Sequence, residues 1–282
     1  MQQKDDWDII VRPKVSLFSI NLKEIWVYKD LILLLVKRDV TSVYKQTILG
    51  PLWMFIQPIF ATLIYTFTFG QANLPTDGIP ALLFYLIGQT FWNYFSECLN
   101  KTSVTFTANS AVFGKVYFPR LVMPLSVIIS NLVKLGIQLL LLIIVFCYFY
   151  FSESSMEIQW SLLFLIPFLI LLLGVFSLSL GILFSSLTTK YRDFNFLIGF
   201  AVQLLMFLSC VVFPASMFKG NIQLLILLNP VAVSLEQIKY IITGHGIFSI
   251  QHILISYLVT FVLFLFSLVI FNRTEKSFMD TV

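Results

Sequence analysis

Residues 36–58 read VKRDVTSVYKQTILGPLWMFIQP. Lys37, Arg38, Asp39, Tyr44 and Lys45 stand directly against an apolar run that opens on Gly50, Pro51 and Trp53. Charge, then a Gly-Pro break, then a long apolar stretch is the pattern of a chain turning from an aqueous interface into a membrane. Proline is well placed in the first turn of a helix, and tryptophan favours headgroup level. The rest of the chain decides whether that reading holds.

Only 11% of the 282 residues are charged and 59% are hydrophobic, with a mean hydropathy of +0.92. Soluble domains carry about a quarter charged residues, so the composition is that of a membrane protein. Cys98, Cys147 and Cys210 lie far apart in or beside apolar runs and read as small buried apolar residues. The polar first twenty residues lack the charged-then-apolar order of a cleavable signal peptide, so none is expected.

A helix needs about 20 apolar residues to cross the hydrocarbon core. Six runs qualify, at about 51–71, 81–100, 121–150, 160–187, 195–213 and 250–271, and in lipid they should be helices. Eight Lys and Arg precede the first run, three lie in 101–120, two in 188–193 and two after 271. The alternate loops 72–80 and 151–159 hold none, and 214–249 holds only Lys219 and Lys239. This bias predicts that both termini are cytoplasmic.

Two segments depart from a plain bundle. In 22–38, Lys23, Asp30 and Lys37 share one face, while Leu22, Ile25, Trp26, Leu33 and Val36 occupy another. That predicts an amphipathic helix lying in the interface, with a charge-interrupted span as the alternative. In 214–249, short amphipathic stretches near 221–228 and 231–242 are split by Asn229-Pro230. Proline disfavours helical geometry in the residue before it. Two half-helices dipping into the outer leaflet are therefore expected, shielded by protein.

The expected architecture is an all-α integral membrane protein with an N-terminal segment (1–21) and an interfacial helix and turn (22–45). A six-span unit with two re-entrant gate helices (46–272) and a cytoplasmic tail (273–282) follow. Little supports enzymatic chemistry. There is no GxxxxGK[ST] phosphate loop, His245 and His252 have no acidic partners at ligand spacing, and no carboxylate pair inside the membrane suggests hydrolysis. Lys134, near mid-span, is predicted to face a polar cavity or a subunit contact, because an intramembrane charge is costly. Glu97, nearer the cytoplasmic interface, reads as hydrated. Aromatics crowd 84–95 (FYLIGQTFWNYF) and 146–151 (FCYFYF). They read as interface belts and packing, or as a corridor on which sugars stack; Phe84, Phe91 and Phe95 share one helical face.

Five ordered motifs carry a family resemblance. They are RDVTSVYKQTILGPLWMFIQP (38–58), NSAVFGKVYFPRLVMP (109–124), SSLTTKYRDFNFLIGFAVQ (185–203), CVVFPAS with LLNP (210–216, 227–230) and FNRTEKSFMD (271–280). Together they resemble the transmembrane permeases of type-2 ABC exporters of polysaccharide: O-antigen, capsule and teichoic acid. The resemblance implies a homodimer in the bacterial inner membrane with two separate ATPase subunits, and no cofactor on this chain, since ATP and magnesium are used by the partner. It implies a lipid-linked glycan as substrate and no nucleic acid.

The resemblance also places Arg38, Asp39, Tyr44 and Lys45 against the ATPase. Residues 102–114 become a short coupling helix, with Lys115, Tyr117, Phe118 and Arg120 beside it and Arg192 and Asp193 in a second contact. Asn229, Pro230 and Glu236 fall in an outer gate. Cys210 and Val211 stand where relatives often carry a small residue and a proline, and Lys134 where an acid is frequent. The rivals are a type-2 exporter of a drug or small lipid, and a membrane enzyme modifying a lipid-linked sugar, for which no catalytic acid or histidine is apparent.

Overall fold

The computed structural model describes residues 22–45, 49–72, 74–109, 113, 116, 118–152, 156–191 and 193–278. Among these, every regular element is helical: eleven α-helices, three single-turn 3-10 segments and no strand. Helices α1 (Leu22–Val27) and α2 (Lys29–Tyr44) form the segment expected at the interface. Its expected apolar face divides. Val36, with Leu35, is buried near the start of α6 (Val122–Ser152), whereas Trp26 and Leu33 stand exposed. Exposed apolar residues beside an outward row of charge suit a helix lying at a lipid surface.

Gly50 then turns the chain with a φ of +51°, a left-handed backbone that costs glycine little. The 3-10 turn Gly50–Leu52 leads straight into α3 (Trp53–Gln71). Helix α4 (Ala81–Ser103) is the centre of the molecule and packs on α3, α6, α7 (Leu165–Lys190) and α10 (Pro230–Thr243). Small residues let α7 approach it. A Cβ on Gly174 would meet the Tyr94 hydroxyl at 2.6 Å, and one on Gly181 would meet Thr102 Cβ at 2.5 Å. The short α5 (Thr105–Ala108) follows α4.

By length and composition, four helices can cross a membrane: α3, α6, the 165–189 part of α7, and residues 250–274 of α11 (Ile250–Phe278). Two of the six expected spans differ, for separate reasons. At 23 residues, about 34 Å, α4 is long enough, but polar side chains at 89, 93, 96, 97, 100 and 101 lower its apolarity. Helix α8 (Phe194–Phe207) stops after 14 residues, about 21 Å, short of the ~30 Å core, although a span was expected to reach 213. Helices α9 (Asn221–Leu227) and α10 follow, bent by 91° at Leu228-Asn229; counted as one, they would be a fifth span.

Outward on α3, α6 and α11 stand Phe60, Ile64, Phe67, Ile143, Ile144, Leu258 and Phe261. Apolar surface this continuous would associate in water; in a bilayer it is the surface that lipid covers. The chain is a multi-pass membrane protein.

Candidate functional site

Motifs far apart in sequence meet at one end of the helices. The Phe106 amide of α5 donates to Ser185 Oγ at 3.2 Å, and Thr188 Oγ1 donates to the Ser103 carbonyl at 2.9 Å, tying the 102–109 segment to α7. Phe106 also stacks on Phe271 of α11, with centroids 4.8 Å apart. Arg120 lies over Phe106 and Phe113 at 5.8 and 5.7 Å, with Phe118 against Phe113. Leu35, Val122 and Ile182 are among the other buried members of this cluster.

Two of the residues expected beside the ATPase lie inside this cluster. Arg120 is 5% exposed and Phe118 is likewise buried, and both pack against Phe113. Arg38 is exposed, and its guanidinium pairs at 2.8 Å with the neighbouring Asp39. Lys45 is exposed at the end of α2, its amide bonded to the Thr41 carbonyl at 2.9 Å. Asp193 is exposed immediately before α8. Lys115, Tyr117 and Arg192 lie outside the described residues, as does the side chain of Tyr44. Of the expected 102–114 helix, 102–103 end α4 and 105–108 form α5.

Between α4 and α6 runs a polar seam. Gln89, Asn93, Glu97 and Lys101 recur every four residues on α4, facing Asn131, Lys134 and Gln138 of α6. Gln89 donates to Asn93 at 2.9 Å. Glu97 Oε2 accepts from Lys101 Nζ at 2.6 Å and from Lys134 Nζ at 2.9 Å, and Lys101 also reaches Asn131 Oδ1 at 3.3 Å. Lys134, expected to face a polar cavity or a subunit contact, pairs with Glu97, read from sequence as hydrated. No spacing within one helix reveals a contact 37 residues away.

At the opposite end the α9–α10 hairpin is locked by a polar network, part-buried at Asn229 and sealed at Lys239. Asn229 caps α10: its Oδ1 accepts from the Val231 amide at 3.0 Å, while its amide nitrogen donates to Ser209 Oγ at 2.9 Å and to the Leu208 carbonyl at 3.3 Å. Pro230 occupies the first turn, where its missing N–H costs nothing. Further along α10, Lys239 Nζ lies 3.3 Å from Glu236 Oε1, 2.6 Å from the Cys210 carbonyl and 3.6 Å from the centre of the Phe84 ring. The two charged residues are 2% and 1% exposed.

Sequence reading missed Lys239, although its i, i+3 spacing from Glu236 on an apolar helix was a signal. Cys210, where a departure was noted, adopts a φ of +56°. Such a conformation costs a non-glycine residue roughly 1–2 kcal/mol, and here it delivers the carbonyl that Lys239 takes. Val211 then packs on α4 at Gly88, where a Cβ would meet the Val211 carbonyl oxygen at 3.0 Å.

The three rings read either as packing or as a sugar corridor take packed positions. Phe84, Phe91 and Phe95 have no accessible surface. Phe84 lies under Lys239, and Phe95 stacks on Phe176 of α7 at 5.8 Å and 18°. In this conformation they are core residues, with no face free for a sugar. A part-exposed aromatic group, Tyr65, Phe69 and Phe213, does exist where α3 meets the 208–214 segment, packed around the fully buried Tyr85 of α4.

A family model described as ABC-2 type transporter matches residues 30–243. An O-antigen export system permease protein RfbA from Klebsiella pneumoniae is 26% identical over 255 residues, covering 89% of this chain and 94% of the relative. One of the same name from Myxococcus xanthus is 24% identical over 266 residues, covering 93% and 98%.

Proposed function

The chain belongs to the ABC-2 type transporter family, and from that premise we propose that it is the permease subunit of an ATP-driven exporter of a lipid-linked polysaccharide across the inner membrane. The observation that carries this reading is likeness along nearly the whole chain to O-antigen export permeases of two organisms. The permease works as a homodimer with two ABC ATPase subunits, which bind the ATP and magnesium. This chain is not itself an enzyme.

The positive-charge bias sets the end bearing α5 and the Phe106 cluster in the cytoplasm, with both termini. There the ATPase meets the exposed Arg38–Asp39 region, α5 and the turn around Asp193. The internal ties of α5 to α7 and α11 would carry a push on that surface into the spans. Differential contact with two ATPase states supplies the bias. Helices α4 and α8 complete six crossings, α8 being extended by the packed 208–214 segment. The α9–α10 hairpin is the outer gate, and α1–α2 lie in the inner interface, where they guide the lipid head. A long glycan must be held weakly and repeatedly to keep moving.

The test uses inverted membrane vesicles carrying the permease and its ATPase, loaded with radiolabelled lipid-linked glycan. ATP should drive the glycan into the lumen, protected from added glycosidase. Unprotected glycan, despite active ATP hydrolysis, would sink the reading.

A further inference from the structure

We propose that the mouth of the α4–α6 seam binds the phosphate group of a lipid, which takes over Lys101 and Lys134 from Glu97. Two ammonium groups converge on a single carboxylate oxygen, at 2.6 and 2.9 Å. They therefore lie no further apart than the sum of those distances, a spacing that suits two oxygens of one phosphate. The triad carries one surplus positive charge, which an anion would neutralise and the present arrangement does not.

Access is graded. The side chains of Lys101 and Glu97 are 48% and 41% exposed, whereas Lys134 is 14% exposed. Glu97 is thus free to swing outward, while Lys134 stays and needs an anion. Behind the triad is a cavity that admits a water centre over about 10 Å³, lined by Asn93, Asn131, Lys134 and Gln138. That is room for about one water. Asn131 is 2% exposed; its Oδ1 accepts from Lys101, and its amide nitrogen has only the Cys98 thiol, a weak acceptor, beside it. An anion, directly or through that one water, would offer this donor a stronger partner.

The phosphate has two possible sources, a polyisoprenyl carrier or an ordinary phospholipid, and the chemistry at the lysines is shared. The inference rests on the membrane placement proposed above and not on the glycan.

The full chain in detergent is titrated with farnesyl phosphate against farnesol, and with dioctanoyl phosphatidic acid against dioctanoylglycerol. Bound lipid is counted by native mass spectrometry. Phosphate-dependent binding is expected, weakened about tenfold by Lys134→Gln or by the exposed Lys101→Gln. Glu97→Gln, which removes the competing carboxylate, should tighten it severalfold. A purely structural ion pair predicts no such gain, so its absence alongside unchanged lysine variants overturns the proposal. So does equal binding of phosphorylated and unphosphorylated lipids. Preference for one phosphate over the other supports the site and names its source. Loss of binding leaves the export reading untouched, because vesicle uptake is measured separately.

Discussion

Two groups of lysine and glutamate, built from the same chemistry, do opposite things in this molecule. Lys239 and Glu236 are sealed between α10, the Cys210 turn and the Phe84 ring. Lys101, Glu97 and Lys134 sit at the open edge of α4 and α6. A sealed pair cannot lose one member without stranding the other, whereas an open pair can trade partners with whatever arrives. Enclosure, more than charge, separates a latch from a binding site.

The largest effect should come from breaking the latch on one side only. Lys239→Met leaves Glu236 buried and unpaired, and removing one partner of a buried pair costs on the order of 3–5 kcal/mol. A sharp fall in thermal stability in detergent is expected. Adding Glu236→Gln to the same chain should recover much of it, a coupling that a double-mutant cycle reads directly. Equal losses in the single and double variants would mean that the lysine acts through the Cys210 carbonyl and Phe84, not through Glu236.

Next in size is the close approach behind the latch. Gly88→Val forces a branched side chain against the Val211 backbone, already 3.0 Å from the position of a Cβ. Overpacking of this kind costs about 1–3 kcal/mol. Limited proteolysis should cut faster within 208–220. An unchanged cleavage pattern would show that the turn is held without this contact.

Arg120→Ala, at the other end, removes a cation from two aromatic faces. Buried examples of that contact contribute about 2 kcal/mol. Reduced stability of the free permease is expected, read by thermal melting without the ATPase. A change seen only when the ATPase is bound would return Arg120 to the role of a partner contact. The smallest effect on stability belongs to Lys101→Gln, since exposed pairs contribute about 0–1 kcal/mol. A melting temperature within about a degree of wild type would sharpen the contrast with Lys239.

The same contrast governs what could be read from sequence. The Gly50-Pro51 turn, the Asn229-Pro230 break and most span positions were legible, because backbone restrictions and apolar length are local properties. The end of α8 was not. The apolar run continues through Leu208 to Phe213, so composition could not reveal that Cys210 turns the chain back onto Gly88. The partner of Lys134 was hidden because Glu97 lies on another helix. Phe84, Phe91 and Phe95 were correctly grouped on one face, but a helical period does not say which face points inward, and theirs is the packed interior.

The export reading is tested most directly by deleting this chain from its host, restoring it in trans, and measuring surface polysaccharide together with lipid-linked glycan inside the cell. Loss of the surface polymer with lipid-linked glycan trapped inside, both reversed by the restored chain, is the predicted result. Normal surface polysaccharide in the deletion strain would contradict the account and leave a small-molecule exporter of the same family in its place.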